Sequence, residues 1–323
     1  VLFDRITLNL DYYKKKTTDL LYNVPVSGVT GWSINYKNIG EVSNHGFEMT
    51  LGVDILKRTD WDWNISANLA LNRNEIKKLY GDKPEIIIEN AQSGIIGPAN
   101  KILKPGYDID SWYTTEWAGV DPENGDPLWY MTDENGNRVK TNDYAKASAN
   151  PVICGSSNPD FYGGFSTSLR WKNLDLSANF AYSVGGKVYN YMRMEFDSDG
   201  AYTDRNQMRL KDGWSRWQKK GDIATHPKAV YGNTSNSNST SSRYLEDASY
   251  LRLRNLTIGY TFPIKKVFSN LRIYMAGENL FVLSGFSGID PEVPPMNNGA
   301  ATGVAGAVYP QTRKFVFGLN VSF

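Results

Sequence analysis

The sequence predicts an all-β fold and, within that class, a transmembrane antiparallel β-barrel. Three observations carry this. Apolar and polar residues alternate with period two along eight separate stretches. Those stretches are long, at roughly 9–14 residues each, where ordinary globular strands average about 5–6 and a tilted strand crossing a bilayer needs about 9–11. Short and long connections alternate strictly between them, as they do in outer-membrane barrels.

The stretches run in order along the chain. Residues 5–13 set Ile6, Leu8, Leu10 and Tyr12 against Arg5, Thr7, Asn9 and Asp11. Residues 47–55 set Phe47, Met49, Leu51, Val53 and Ile55 against Glu48, Thr50, Gly52 and Asp54. Residues 61–72 set Trp61, Trp63, Ile65, Ala67, Leu69 and Leu71 against Asp62, Asn64, Ser66, Asn68 and Asn72. Phe161, Phe165, Leu169 and Trp171 mark a fourth strand. Leu174, Leu176, Ala178, Phe180 and Tyr182, opposed by Asp175, Ser177, Asn179 and Ser183, mark a fifth. Leu256, Ile258, Tyr260 and Phe262 belong to the sixth. Leu271, Ile273 and Met275 face away from Arg272, Tyr274 and Glu278 in the seventh. Phe315, Phe317, Leu319, Val321 and Phe323, opposed by Gly318, Asn320 and Ser322, form the last. The polar faces are rich in Asn, Ser, Thr, Gly and Asp, as a watered lumen requires. A soluble β-sandwich produces the same alternation with its apolar faces turned inward, so it stays open as an alternative.

The connections 56–60, 172–173 and 263–269 are short, and 16–43, 75–160, 184–248 and 282–311 are long. Short turns belong to the periplasmic side and long loops to the outside, so residues 5–15 would run outward and the last strand inward. Segment 108–131 contains a strong turn at Asp121–Asp126. It either adds a spanning hairpin or stands in the outer loop. Aromatics near strand ends, among them Tyr12, Trp61, Trp63, Trp171 and Phe262, read as an interfacial girdle.

Composition excludes several functions. The 323 residues carry a formal net charge of +1, which removes the electrostatic case for nucleic-acid binding. A single cysteine, Cys154, excludes an internal disulfide framework and a Cys-rich metal site. Two histidines, His45 and His226, leave little room for a metal cluster or a catalytic triad. The mean hydropathy of −0.46 argues against membrane helices but not against a barrel, which averages out polar. Asp133, Asn135 and Asn137 open like a calcium loop, but Arg138 and Tyr144 stand where Gly and Glu are needed, so a plain turn is expected. No metal, cofactor or catalytic residue is expected, and the protein is not expected to be an enzyme. Ser156 and Ser157 read as loop residues.

Eight to ten strands could close into a small barrel, filled by bulky side chains. Here the inner positions are small and polar. An open sheet edge in lipid leaves backbone groups unpaired at several kcal/mol each. The chain also starts directly on a strand, as though cut inside a fold. Both features point to one portion of a larger barrel.

The run Ser242–Pro263, with Arg-Tyr-Leu-Glu-Asp-Ala-Ser-Tyr-Leu-Arg-Leu-Arg-Asn-Leu at its centre, resembles a block of the SusC/RagA-type TonB-dependent outer-membrane transporters. So do Gly277–Phe281, Gly288–Glu292, Tyr309–Phe323, Asp4–Leu21, Asn44–Glu48 and Ala118–Gly125, in the family's order. The resemblance implies that residues 1–323 are the C-terminal part of a barrel of about 22 strands. The family's plug and first barrel strands have no counterpart here. It further implies a bacterial outer-membrane location and TonB-dependent uptake of oligosaccharides, or of oligopeptides, with a SusD-like surface lipoprotein as lid. The implied partners are that lipoprotein, TonB acting through the missing N-terminal part, the remaining barrel strands and plug, and outer-membrane lipid. A passive porin or small closed barrel and a soluble β-sandwich glycan binder are the alternatives.

Loop 184–248 holds Trp214, Arg216, Trp217 and Asp222, a combination of aromatic and charged groups suited to ligand capture. Its segment 204–219 reads as a short helix. Arg252, Arg254, Arg272 and Glu278 are expected to line the lumen near the last strands. Phe315, Phe317 and Phe323 are expected to form the barrel-assembly signal, a role the resemblance carries over for the terminal aromatic strand.

Overall fold

Eight strands form one antiparallel meander in the computed structural model, which describes residues 4–19, 21–25, 34–38, 40–88, 99–263, 270–292, 303–306 and 309–322. They are β1 (Ile6–Thr17), β2 (Gly40–Lys57), β3 (Trp61–Leu79), β4 (Phe161–Trp171), β5 (Leu174–Val184), β6 (Tyr250–Phe262), β7 (Asn270–Ser284) and β8 (Lys314–Ser322). Each pairs with its successor. All eight match stretches read from the alternation, and several run longer.

The register keeps two chemistries apart across the whole sheet. One row reads Ile6, Val53, Ile65, Thr167, Ala178, Leu256, Gly277, Phe315 from β1 to β8. The next row, on the opposite face, reads Thr7, Gly52, Ser66, Ser166, Asn179, Asn255, Glu278, Lys314. Bulges interrupt the alternation at Asp54/Leu56 and at Leu253/Asn255. At the first of these Leu56, not Ile55, stands opposite Trp63 on the apolar face, so the extra residue moves the period by one.

The apolar face is bare. Leu10 is 55% exposed, Phe317 77% and Leu319 60%. At about 1.5–3 kcal/mol for each large apolar side chain left in water, such a ribbon would cost more than a typical domain's entire stability of about 5–15 kcal/mol. Hydrocarbon removes that cost. From Phe47 to Leu56 the ribbon measures roughly 30 Å along the strand, and roughly 23 Å once tilted by about 40°, which is the height of an outer-membrane apolar band. The sandwich alternative would seal Phe47, Leu69, Phe180 and Phe317 between two sheets. They lie instead on one face of one sheet.

The short connections are tight turns at 58–60 and 172–173, the latter with Lys172 at φ 53°. The third, 263–269, lies outside the described residues after Pro263. The long connections carry their own structure. Strands 86–88, 100–103, 111–114 and 152–156 form one small sheet, 117–120, 127–132 and 138–141 a second, and 187–190, 245–247 and 304–305 a third. Segment 108–131 therefore stands in the outer loop and adds no spanning hairpin. The helix expected over 204–219 is not formed. Gly213, at φ 85°, sits in an irregular stretch, and the helix of this loop is Tyr191–Phe196 instead, capped by the Asn190 side chain accepting from the Arg193 amide at 3.1 Å.

Most buried apolar residues gather in this loop body and at the strand ends beneath it. One cluster joins Ala99, Trp112, Tyr189, Met194, Tyr244 and Val304. Another packs Val42, Ile76 and Leu79, at the tops of β2 and β3, against Ile88 and Leu103. The loops thus form a packed layer over the polar face at one end of the sheet.

Candidate functional site: inner wall and loop body

Loop 185–249 is built around buried charge. Helix Tyr191–Phe196 ends in a turn that delivers Asp197 and Asp199. The turn needs Gly200, at φ 97°, because a Cβ there would lie 2.4 Å from the Val230 carbonyl oxygen. Asp199 Oδ2 is 2.5 Å from Arg243 Nη1, and its Oδ1 is 2.5 Å from Arg216 Nη1. The Ser237 hydroxyl donates to Asp199 Oδ2 at 2.6 Å. Asp197 Oδ2 lies 2.7 Å from His226 Nε2 and 3.2 Å from Arg193 Nε, while the Thr225 hydroxyl is 2.7 Å from His226 Nδ1. Arg193 also reaches Glu246 at 3.1 Å. Burial by itself would raise the Asp199 carboxyl. Arg243, Ser237 and Arg216 outweigh it and hold the group below its ordinary value. Three guanidiniums and three carboxylates balance in a largely buried cluster, so removal of one member would leave an uncompensated charge.

Two of the four loop residues expected to meet ligand belong to this hub. Arg216 is committed to Asp199, and the Trp214 ring packs 5.0 Å from the His226 ring with the Arg193 guanidinium 4.5 Å from its centre. The other two brace the loop. Trp217 Nε1 donates to the Pro122 carbonyl at 3.1 Å, and its ring covers Gly125, where a Cβ would come within 2.5 Å. Asp222 accepts from the Gln218 and Lys219 amides at 3.0 Å each. The four side chains are not assembled into one open platform.

On the wall, all four expected lumen residues pair with acids or bases. Arg252, 3% exposed, binds Asp290 and Glu292, and Arg254 binds Glu292. Arg252 stands opposite Ala181 and Arg254 occupies the β6 bulge. Arg272 Nη2 lies 2.5 Å from Asp175 Oδ2. Glu278 is 3.7 Å from Lys314. Arg272 and Glu278 lie on the polar face, opposite Thr261 and Asn255. Phe315 and Phe317 sit on the apolar face of β8, and Phe323 lies outside the described residues.

Segment 286–292 runs back across this wall as a strap. Ser287 donates through its hydroxyl to Glu246 at 2.6 Å and accepts from Asn190 at 3.1 Å. The strap borders two clefts. One, of about 490 Å³, is lined by Met192, Phe196, Met208, Ile289, Asn206 and Gln207 among others. The second, of about 250 Å³, is lined by Asp110, Ser157, Asn158, Ser183, Tyr250 and Glu292 among others.

Beside the second cleft, Lys101 is buried over the Trp112 ring, 3.6 Å from its centre. Its Nζ donates to the Ser157 hydroxyl at 2.7 Å and to the Asp110 carbonyl at 2.8 Å. Burial pushes its pKa down to about 8. Burial likewise raises the Cys154 thiol to about 11, which makes it a poor nucleophile at neutral pH. Asp133 closes a plain turn by accepting from the Asn135 and Asn137 amides at 2.9 and 2.7 Å. Among the described residues, no three His, Cys, Asp or Glu side chains are placed to hold a metal. The surfaces offered are clefts and polar walls, suited to non-covalent capture.

A family model described as TonB dependent receptor-like, beta-barrel matches residues 1–150. TonB-dependent receptor P3 of Formosa agariphila is 31% identical over 350 positions, taking in 100% of this chain and 33% of that protein. The RagAB peptide importer, solved in a closed-closed state, aligns with TM-score 0.79 and 30% identity, covering 99% of this chain and 34% of that one. Over its whole length the chain is similar to TonB-dependent receptor barrels of the SusC and RagA kind. TonB-dependent receptor SusC of Bacteroides thetaiotaomicron is 29% identical over 99% of this chain and 30% of its own length. The chain thus spans about a third of the receptors it matches.

Sequence reasoning does not single out Asp197, Asp199, Arg193 and Arg243. The one local signal for them is the Arg193–Asp197 spacing of four on a helix. Asp290 was missed as the partner of Arg252, although the Gly288–Glu292 motif contains it.

Proposed function

We propose that this chain is the C-terminal part of an outer-membrane importer's barrel. The rest of the barrel and the plug would come from the same polypeptide. Transport would be powered by TonB acting on the plug, with a SusD-like lipoprotein closing over the loop body. The cargo would be an oligosaccharide or an oligopeptide held against the inner wall and the loop clefts. The observation that carries this is the sheet itself. It is bare and apolar on one side and polar with internally paired charge on the other, and the chain that carries it aligns over 99% of its length with the RagAB peptide importer. Further support comes from the two sheet edges. β1 and β8 stand at opposite ends of the strand order, so in lipid their free backbone groups call for additional strands. A passive porin would need the eight strands to close on themselves.

The test is uptake by cells carrying the full-length gene. Fluorescent oligosaccharides and oligopeptides should enter wild-type cells, and entry should stop when tonB or the gene for a SusD-like lipoprotein partner is deleted. Undiminished entry in the tonB deletion would establish a passive pore instead.

A further inference from the structure

We propose that the outward face of β1, β2 and β3, at the long-loop end of the apolar ribbon, is a docking site for a phosphate-bearing glycolipid of the outer leaflet. The inference rests on the outer-membrane reading above and goes beyond it.

The register places Lys14 opposite His45, and His45 opposite Arg73. Two positions along, on the same face, Tyr12 stands opposite Phe47, and Phe47 opposite Leu71. Each of the three strands therefore makes the same transition on its outward face. β1 runs Leu8, Leu10, Tyr12, Lys14; β2 runs Leu51, Met49, Phe47, His45; β3 runs Ala67, Leu69, Leu71, Arg73. This is the vertical order of hydrocarbon, interface and headgroup. Tyr12, 71% exposed, occupies the depth where an amphipathic ring is favoured.

The patch is local. Outward positions on β4 to β8 carry no charged residue: the face ends in Phe161 and Tyr182 on β4 and β5, Leu251 on β6 and Leu283 on β7, while β8 alternates from Phe315. A general interfacial belt would spread its cations around the sheet. Lysines on an edge strand also discourage unwanted pairing, but Arg73 lies on an interior strand.

Charge bookkeeping leaves room for an anion. Lys16 is held by Glu41 at 2.7 Å, and Lys77 by Glu75 at 2.6 Å. Arg73 is 3.0 Å from Asp160 with its side chain 51% exposed. Lys14 is exposed and has no carboxylate within ion-pair distance among the described residues. A phosphate lying above Tyr12 and Phe47 would meet Lys14 first and Arg73 across His45, with its acyl chains on the ribbon below. An arrangement that joins cation and greasy surface selects a lipid over free phosphate.

The test is native mass spectrometry of the full-length protein purified in detergent, with diphosphoryl lipid A, monophosphoryl lipid A and inorganic phosphate as probes. Diphosphoryl lipid A should be retained. The pair Lys14→Gln/Arg73→Gln should cut its retention at least about tenfold, and Lys14→Arg should keep it. Monophosphoryl lipid A should bind more weakly, and inorganic phosphate at the same concentration should not displace the lipid. Equal retention by parent and double variant, with both showing the heat-dependent gel shift of an inserted barrel, would overturn the inference alone. Displacement by inorganic phosphate would overturn the choice of a lipid. A parent protein that never enters the outer membrane would overturn the importer reading and this inference together.

Discussion

Arg272 reaches over Gly259 to Asp175, tying β7 to β5 across the intervening β6. Its Nη2 and Nε lie 2.5 and 2.9 Å from the two carboxylate oxygens. The path exists because Gly259 has no side chain: a Cβ there would stand 2.3 Å from Nη2. Tyr274 lies across Gly318 in the same way, with a Cβ there 2.1 Å from its ring. Glycine on the polar face of this wall is space for a neighbour's long side chain.

Gly259→Ala should therefore push the guanidinium off Asp175. The pair is partly exposed, so the loss should be about 0.5–1 kcal/mol. It should appear as a lower midpoint for heat unfolding of the barrel on gels. Asp175→Asn should cost a similar amount, and the two together little more than either alone. Fully additive costs would show that the bridge is not what Gly259 protects.

Asp290→Asn should be far more damaging. It leaves Arg252 buried with one acid fewer, and breaking a buried pair from one side costs about 3–5 kcal/mol. The strap should detach, and the inserted fraction or ligand uptake should fall sharply. Arg252→Met combined with Asp290→Leu should recover much of the insertion, because no charge is then stranded. Normal uptake by Asp290→Asn would mean the strap is held by something else.

Acid should open the loop body before the sheet. The Asp199 carboxyl is depressed below its ordinary 3.8, so its contribution to stability is complete above that pH and is lost as pH falls through the lower, folded value. Pepsin cleavage within 185–249 should therefore stay slow near pH 4 and accelerate as the pH is lowered further. Asp199→Asn should show rapid cleavage already at pH 4. Cleavage that does not change with pH, in parent and variant alike, would contradict the role given to this carboxylate.

Deleting 315–323 removes nearly all of β8 and the apolar stripe of Phe315, Phe317, Leu319 and Val321. Assembly should be abolished, as read by surface labelling of intact cells. Normal surface display of the truncation would show that the final strand is dispensable.

The sheet was legible in the sequence because one force writes it: every second residue answers to lipid or to water, and no partner need be known. Phe47, Leu69, Phe180 and Phe317 declare their face without reference to one another. The bulges at Asp54 and Arg254 were not legible, since an added residue moves the phase without altering composition. The loop hub was hidden for a different reason. Arg193, Asp199, Arg216, His226 and Arg243 are scattered along fifty positions of irregular chain, and only folding brings them together. Trp214 and Arg216 stood out as residue types suited to ligand, and the structure places both against buried partners. The expected helix over 204–219 failed because charge and aromatic content do not make a helix where Gly213 must take a left-handed turn.

The apolar face of this sheet meets hydrocarbon and the polar face meets water. Spin labels at consecutive positions 49–53 of β2, in the full-length protein with Cys154 replaced by Ser and reconstituted in bilayers, test it directly. Labels at 49, 51 and 53 should collide with oxygen and those at 50 and 52 with a water-soluble nickel complex, in opposite phase. Labels at 49, 51 and 53 shielded from both reagents would place that face in a protein core and contradict it.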